Sequence, residues 1–295
     1  MSLIGVDLGG TKIAVAVVQE GSITHKSVEP TPKDGWVSVL DQIARQVEEL
    51  RQHVPDLETV GVGLPGPLDF KQGMVKFAPN IYGFENVPVR SYLAEKLNMH
   101  VDIENDANAA ALGEGVYGAG RGTDSSVFIT ISTGIGGGIV LNGRVIRGAH
   151  GVGGEIGHVT ALPYGTVAGS GVVGGLEALC SGTAIARDAS FALNKPTTTA
   201  EAFQLAQDGH PIAKRVVETA MTHIGTLVAN LQLTIDPEVF VLGGGVSSVG
   251  DYFINFVRDV AIDRLGNFDV RPEIRLAALG TDAGVIGAAL AGRKF

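Results

Sequence analysis

The chain has 295 residues, enough for one large domain or two lobes with a sizeable hydrophobic core. Asp and Glu number 31 against 22 Lys and Arg, and the net charge of −9 argues against nucleic acid or an anionic membrane as a partner. One cysteine, Cys180, excludes an internal disulfide and a cysteine-rich metal site. The sequence shows neither a basic leader nor a long apolar segment, so it predicts a cytoplasmic protein.

The predicted elements alternate between strands and helices. Two β-hairpins with glycine-containing turns are expected, LIGVD with KIAVAVV near residue 3 and SVFITI with IVLNGRVI after residue 125. The remaining strands are predicted at 59–63, in the sequences HVDIE and EVFVLGGG, and near Ile274. Helices are predicted in the sequence NAAALGEGV, after Tyr252, and at 37–51, 176–189, 199–207, 212–234 and 283–291. This alternation predicts an α/β protein with mixed sheets and a lobe boundary within 118–123.

Two glycine-rich turns that also carry hydroxyl groups are candidates for binding phosphate. The first is the sequence DLGGTK at residues 7–12, and the second is STGIGGG at residues 132–138. Glycine lets backbone N–H groups approach an anion closely, although each turn alone fits an ordinary tight turn equally well. Their repetition in matching contexts favours a cradle for a nucleoside triphosphate. A third glycine turn, LGGGV at residues 242–246, is explained almost as well by a strand-to-helix turn.

Asp106 follows the strand HVDIE and precedes a helix, a position that allows two interpretations. The first is a helix N-cap, a common role for Asn and Asp. The second is a general base that accepts the proton of a substrate hydroxyl during phosphoryl transfer. The surrounding residues have to decide between them.

Glu155 and His158 lie three residues apart in the sequence GEIGH, and Glu177 follows in the segment LEAL. Two carboxylates and an imidazole can hydrogen-bond the vicinal hydroxyls of a sugar ring. The alternatives are a zinc ligand or a structural histidine at position 158. Zinc is disfavoured because a cysteine cluster is lacking.

Taken in order, these motifs resemble the ROK family of bacterial sugar kinases, and most closely its glucokinases. The resemblance covers nearly the whole chain and includes DLGGTK, GLPGPLD, APNI, ENDANAAALGE, STGIGGG, GGEIGH, LEAL, VLGGGV and DAGVIGAA. It implies an actin-like or hexokinase-like ATPase fold, with two lobes of mixed sheets around a cleft. It further implies a small lobe of residues 1–118, on which residues 281–295 pack, and a large lobe of residues 119–280.

The resemblance also implies a reaction and a role for each site residue. The expected reaction transfers the γ-phosphoryl group of ATP to the 6-hydroxyl of glucose, with Asp106 as catalytic base and Asp7 holding Mg²⁺ through water. The expected sugar-binding residues are Gly66, Asn80, Asn105, Asp106, Glu155, His158 and Glu177. The expected nucleotide-binding residues are Asp7, Gly9, Gly10, Thr11, Lys12, Thr133, Gly134, Gly244 and Gly245.

The sequence departs from the family pattern at the zinc loop C-x-C-G-x-x-G-C-x-E that follows the GH motif. Ala168, Ser170 and Gly175 occupy the three cysteine positions, so no zinc is expected. The retained His158 and Glu177 indicate that contact with the sugar survives this loss.

Other functions remain open at this point. An N-acetylmannosamine or N-acetylglucosamine kinase shares the sugar-facing motifs. A sugar-responsive regulator of the same family carries an additional N-terminal helix-turn-helix, whereas here the first hairpin begins at Leu3, and the net charge also disfavours DNA binding. The expected partners are therefore a small sugar, ATP and further copies of the chain, as a dimer or tetramer.

Overall fold

A computed structural model describes residues 2–54 and 57–293, and the chain divides into two compact units. The first unit comprises Met1–Gly122, Gly138–Gly154 and Leu279–Phe295, and the second comprises Thr123–Gly137 and Glu155–Ala278. The segment 138–154 thus belongs to the first unit, whereas the sequence-based division placed all of 119–280 in one lobe. Among the described residues, no helix is long and apolar enough to cross a membrane.

The first unit is built on a five-stranded mixed sheet of order β3-β2-β1-β4-β8. The strands are β1 (Ser2–Leu8), β2 (Lys12–Gln19), β3 (Ser22–Pro30), β4 (Thr59–Leu64) and β8 (His100–Asn105). The first three form an antiparallel meander, and β4 and β8 add parallel to β1. A smaller antiparallel sheet contains β5 (Leu68–Asp69), β6 (Met74–Phe77) and β7 (Glu85–Val87).

Helices cover this sheet because each presents an apolar face to it. They are α1 (Trp36–Arg51), α2 (Val89–Leu97), α3 (Asp106–Val116) and α9 (Ala283–Ala291). In α1 the buried residues include Val39, Ile43 and Val47, which recur at helical spacing. The alanine- and glycine-rich α9 crosses β1 and β4 very closely, since a Cβ on Gly61 would lie 1.8 Å from the carbonyl oxygen of Ala288.

The second unit contains the sheet order β10-β9-β12-β13. Its strands are β9 (Ser125–Ile131), β12 (Val239–Gly243) and β13 (Ile274–Leu276), which run parallel, and β10 (Ile135–Leu141). The last residues of β10 belong to the first unit, where they pair with β11 (Arg144–Val145). The helices are α4 (Leu176–Cys180), α5 (Gly182–Leu193), α6 (Thr199–Gln207), α7 (Pro211–Ile235) and α8 (Asp251–Leu265).

The predicted α/β class is confirmed, one predicted helix needs correction, and two features of the sheets were not predicted. The helix predicted over 176–189 is two helices, because Ser181 has extended backbone and its Oγ accepts the N–H of Ala184 as the N-cap of α5. The polar strand β3 and the sheet β5-β6-β7 were not predicted. Much of β3 is exposed, so it lacks the apolar alternation that identifies a strand in a sequence.

Candidate active site

The turn between β1 and β2 carries the first glycine motif. The N–H of Gly9 donates to the carbonyl of Lys12 at 3.0 Å, and the hydroxyl of Thr31 donates to the carbonyl of Gly9 at 2.7 Å. Gly10, Thr11 and Lys12 are exposed at its tip. Hydrogen bonds at Gly9 therefore fix the turn while its tip stays accessible, as binding of a phosphate requires.

Asp7 lies at the end of β1, beside the first turn of α9. A Cβ on Gly284 would stand 2.9 Å from Oδ2 of Asp7, so the helix backbone lies directly against this carboxylate. Burial raises the pKa of Asp7, while the positive charges of Lys12 and Lys26 act in the opposite direction. Lys26 itself is held in place by an ion pair with Asp282, just before α9. Carboxylate oxygens suit Mg²⁺, so the chemistry of Asp7 fits a site for this ion.

The N-terminus of α3 separates the two interpretations of Asp106. The N-cap is Asn105, whose side-chain oxygen accepts the N–H groups of Ala107 and Asn108 at 3.0 and 3.1 Å. Asp106 is the first residue of the helix; it is exposed, and its Oδ1 accepts the N–H of Ala107 at 2.8 Å. The N-cap is therefore Asn105, and the carboxylate of Asp106 adds a second acceptor for an N–H of the first turn.

An ion pair that was not predicted joins the buried Glu104 to the partly exposed Arg147. Glu104 is 1% exposed, and its carboxylate accepts Nε of Arg147 at 2.8 Å, the backbone N–H of Asn105 and the side-chain amide of Asn108. Burial raises the pKa of Glu104, whereas the charge and hydrogen bond of Arg147 lower it. Glu104 thereby anchors the backbone at Asn105. No sequence signal identified this pair, because its two members are far apart in the chain.

Gly66 and Asn80 belong to the same unit as the first turn. Gly66 has a φ of +81°, and a Cβ there would lie 2.2 Å from the carbonyl oxygen of Phe77. Asn80 is exposed, and its backbone oxygen lies 3.0 Å from the position a Cβ would take on Gly10. The fold thus brings Asn80 next to the β1–β2 turn.

In the second unit, Glu177 is docked on the second glycine turn. Its Oε2 accepts the N–H of Ile135 at 3.0 Å, and a Cβ on Gly134 would lie 2.4 Å from the same oxygen. The third glycine turn is also close, since Gly244 lies against the backbone of Ile131 at the end of β9. A predicted sugar-binding carboxylate and two predicted nucleotide-binding turns are therefore neighbours.

Glu155 and His158 lie side by side, with Oε2 of the former 3.7 Å from Nε2 of the latter. Nδ1 of His158 is 3.2 Å from the hydroxyl of Ser170. Ala168 and Gly175 offer no metal-binding side chain, so the donor set does not fit zinc. Across residues 2–54 and 57–293, no group of three or more His, Cys, Asp or Glu side chains could hold a metal ion.

A cavity of about 990 Å³ opens beside the second and third glycine turns. Thr133 and Gly245, both predicted nucleotide-binding residues, are part of its lining. The rest of the lining comes largely from α5 and the segment before α6, including Gly182, Thr183, Arg187, Pro196 and Thr198, none of which was predicted. Its volume is typical of a small-molecule pocket.

Comparison with known proteins places this geometry in a family. A sequence model of the ROK family matches residues 3–294. The glucokinase of Thermotoga maritima is 36% identical, with 98% of this chain and 96% of that protein covered. The ROK hexokinase of Thermus thermophilus superimposes with a TM-score of 0.93 at 44% identity, covering 99% and 98% of the two chains. A ROK family glucokinase from Streptomyces griseus, solved with glucose and AMPPNP, gives a TM-score of 0.82 at 34% identity, with 99% of both chains covered.

Proposed function

The chain belongs to the ROK family, and on that premise we propose that the protein is a glucokinase. It transfers the γ-phosphoryl group of ATP to the 6-hydroxyl of glucose. The supporting observation is at the start of α3, where Asn105 is the N-cap and the next residue, Asp106, has an exposed carboxylate. A carboxylate in that position suits a general base for a sugar hydroxyl.

In the proposed reaction, Asp106 accepts the proton of the 6-hydroxyl as its oxygen attacks the γ-phosphorus. The bond between that phosphorus and the bridging oxygen of ADP breaks, and ADP leaves with the electron pair. Asp106 is held in position by the cap at Asn105, which is itself anchored by the buried Glu104. Positioning of the reactants supplies much of the catalysis in such reactions.

The phosphates are bound in this proposal by two sets of residues. These are Gly9, Gly10, Thr11 and Lys12 in the turn between β1 and β2, and Thr133 and Gly134 in the turn between β9 and β10. Asp7 would hold Mg²⁺, which when bound neutralises charge on the phosphates. The cavity beside Gly245 has the size for adenosine.

Sugar hydroxyls are bound in this proposal by the polar side chains of Asn80, Asn105, Glu155, His158 and Glu177. Gly66 shapes the loop in which it lies. The zinc loop of the family has no equivalent donor set here, and we expect sugar binding without that metal.

The test is an ADP-release assay with glucose, mannose, fructose, N-acetylglucosamine and N-acetylmannosamine, each with ATP and Mg²⁺. Glucose should be the preferred substrate, and 6-deoxyglucose, which lacks the reacting hydroxyl, should give no sugar phosphate. A preference for an N-acetylated sugar would show that glucose is not the main substrate. If none of the five sugars is phosphorylated, the proposed kinase activity is wrong. Light scattering tests the further prediction of a dimer or tetramer.

A further inference from the structure

The segment that replaces the zinc loop is a short hairpin held by its own backbone. Val167 pairs with Val173, and Thr160 pairs with Gly175. The N–H of Ala168 donates to the carbonyl of Val172 at 2.8 Å. A Cβ on Gly175 would lie 3.6 Å from the Cβ of Ala168. The positions that align with the three cysteines of the family pattern, Ala168, Ser170 and Gly175, therefore lie on one hairpin.

Ser170, at the tip of this hairpin, places its hydroxyl 3.2 Å from Nδ1 of His158. A neutral imidazole carries one proton, and the partner of one ring nitrogen decides which nitrogen holds it. On the other side of the ring, Nε2 faces Oε2 of Glu155 at 3.7 Å. A lone pair on Nε2 would face a carboxylate unfavourably, whereas an N–H there would be attracted to it.

We propose that Ser170 is a positioning residue that donates its hydroxyl proton to Nδ1 and thereby holds His158 as the Nε2–H tautomer. The inference rests on the proposed function for its consequence in catalysis, and the tautomer itself can be tested independently of activity.

The consequence concerns recognition of the sugar. The Nε2–H of His158 is a donor, and the adjacent carboxylate of Glu155 is an acceptor. A sugar hydroxyl can satisfy both at once, because it accepts one hydrogen bond while donating another. In the opposite tautomer His158 and Glu155 would both be acceptors, and one hydroxyl could satisfy only one of them. Ser170 thus determines which chemical group this part of the site accepts.

The experiment compares Ser170→Ala with Ser170→Thr and with the control Thr160→Val. Thr160 donates its hydroxyl to the carbonyl of Val173 at 3.3 Å, so Thr160→Val removes a hydroxyl from the same hairpin without touching His158. Nitrogen-15 NMR of the imidazole groups, at a pH of about 8.5 where histidine is ordinarily neutral, reports the tautomer. The difference between the spectra of wild type and His158→Gln assigns the signals.

Wild type and Ser170→Thr should show His158 protonated on Nε2, and Ser170→Ala should shift both nitrogen signals toward the average of the two tautomers. The KM for glucose should rise about two- to tenfold in Ser170→Ala only, with the KM for ATP and the melting temperature unchanged. A proton on Nδ1 in wild type, an unchanged tautomer in Ser170→Ala, or an equal KM increase in Thr160→Val would each overturn the inference. If wild type phosphorylates none of the sugars, the proposed function fails, while the NMR comparison still decides the tautomer.

Discussion

Gly284, in the first turn of α9, lies against the carboxylate of Asp7, with room for no side chain between them. We predict that Gly284→Ala displaces this carboxylate and lowers kcat by about ten- to a hundredfold, because small misplacements at a reacting centre are costly. The melting temperature should change little, since the helix preference of alanine over glycine offsets the cost of moving the carboxylate. Asp7→Ala sets the lower limit of activity. Wild-type kcat in Gly284→Ala would show that the position of Asp7 is not critical.

Asp106→Asn should lower kcat by about 10²–10⁴-fold, the usual cost of removing a general base. The side-chain oxygen of the asparagine that replaces Asp106 can still accept the N–H of Ala107, and Asn105 still caps α3. Glucose affinity and melting temperature should therefore change little. Asp269→Asn makes the same chemical change at an exposed position and should have no effect. A fall in kcat of less than about fivefold would exclude Asp106 as the base.

Glu177 links the proposed sugar-binding segment to the second glycine turn, and two substitutions separate its expected roles. Glu177→Gln keeps an oxygen for the N–H of Ile135 but loses the charge, so it should raise mainly the KM for glucose. Glu177→Ala also leaves that N–H without its acceptor, which should cost about 1–3 kcal/mol of stability and raise the KM for ATP. Steady-state kinetics and thermal denaturation measure both. Identical behaviour of the two variants would argue against a link through Ile135.

Arg147→Ala should leave Glu104 buried without its cation and reduce the free energy of unfolding by about 2–3 kcal/mol near pH 8. The pKa of Glu104 is already raised by burial and should rise further in the variant. A raised folded-state pKa gives stability that is present at low pH and lost as the pH climbs through it. The loss of unfolding free energy caused by Arg147→Ala should therefore be smaller near pH 5 than near pH 8.

The control for this variant is Arg90→Ala, which removes an ion pair at 3.6 Å whose carboxylate, Asp102, is far more exposed than Glu104. It should cost no more than about 1 kcal/mol. Urea denaturation of both variants at the two pH values gives the comparison. A cost for Arg147→Ala that is equal at both pH values would contradict the assignment of the effect to Glu104.

Purified protein should contain no stoichiometric zinc, and chelators should act only by removing Mg²⁺. Because Ala168, Ser170 and Gly175 lie on one hairpin beside His158, cysteine at all three positions should create a four-ligand site that binds about one zinc per chain. Adding His158→Gln to the triple variant should weaken binding. Metal analysis under reducing conditions tests all three proteins. Stoichiometric zinc in wild type would refute the prediction.

The sequence by itself determined the family, the α/β class, and the positions of most strands and helices. Its signals are local: apolar periodicity identifies α1, β4 and α9, and glycine beside threonine identifies the turns at Gly10 and Gly134. The same local signals could not choose between a cap and a base at Asp106. The structure adds that Asn105, one residue earlier, makes the capping hydrogen bonds, and that Asp106 is the base is our proposal.

Only the tertiary structure decided which distant residues support the site. Glu104 and Arg147 are 43 residues apart, and Asp7 and Gly284 lie at opposite ends of the chain. Ser170 occupies a cysteine position in the family pattern, yet its contact with His158 depends on how the hairpin folds back. Such contacts arise from chain crossings and hydrogen-bond geometry, and neither leaves a periodic pattern in the sequence.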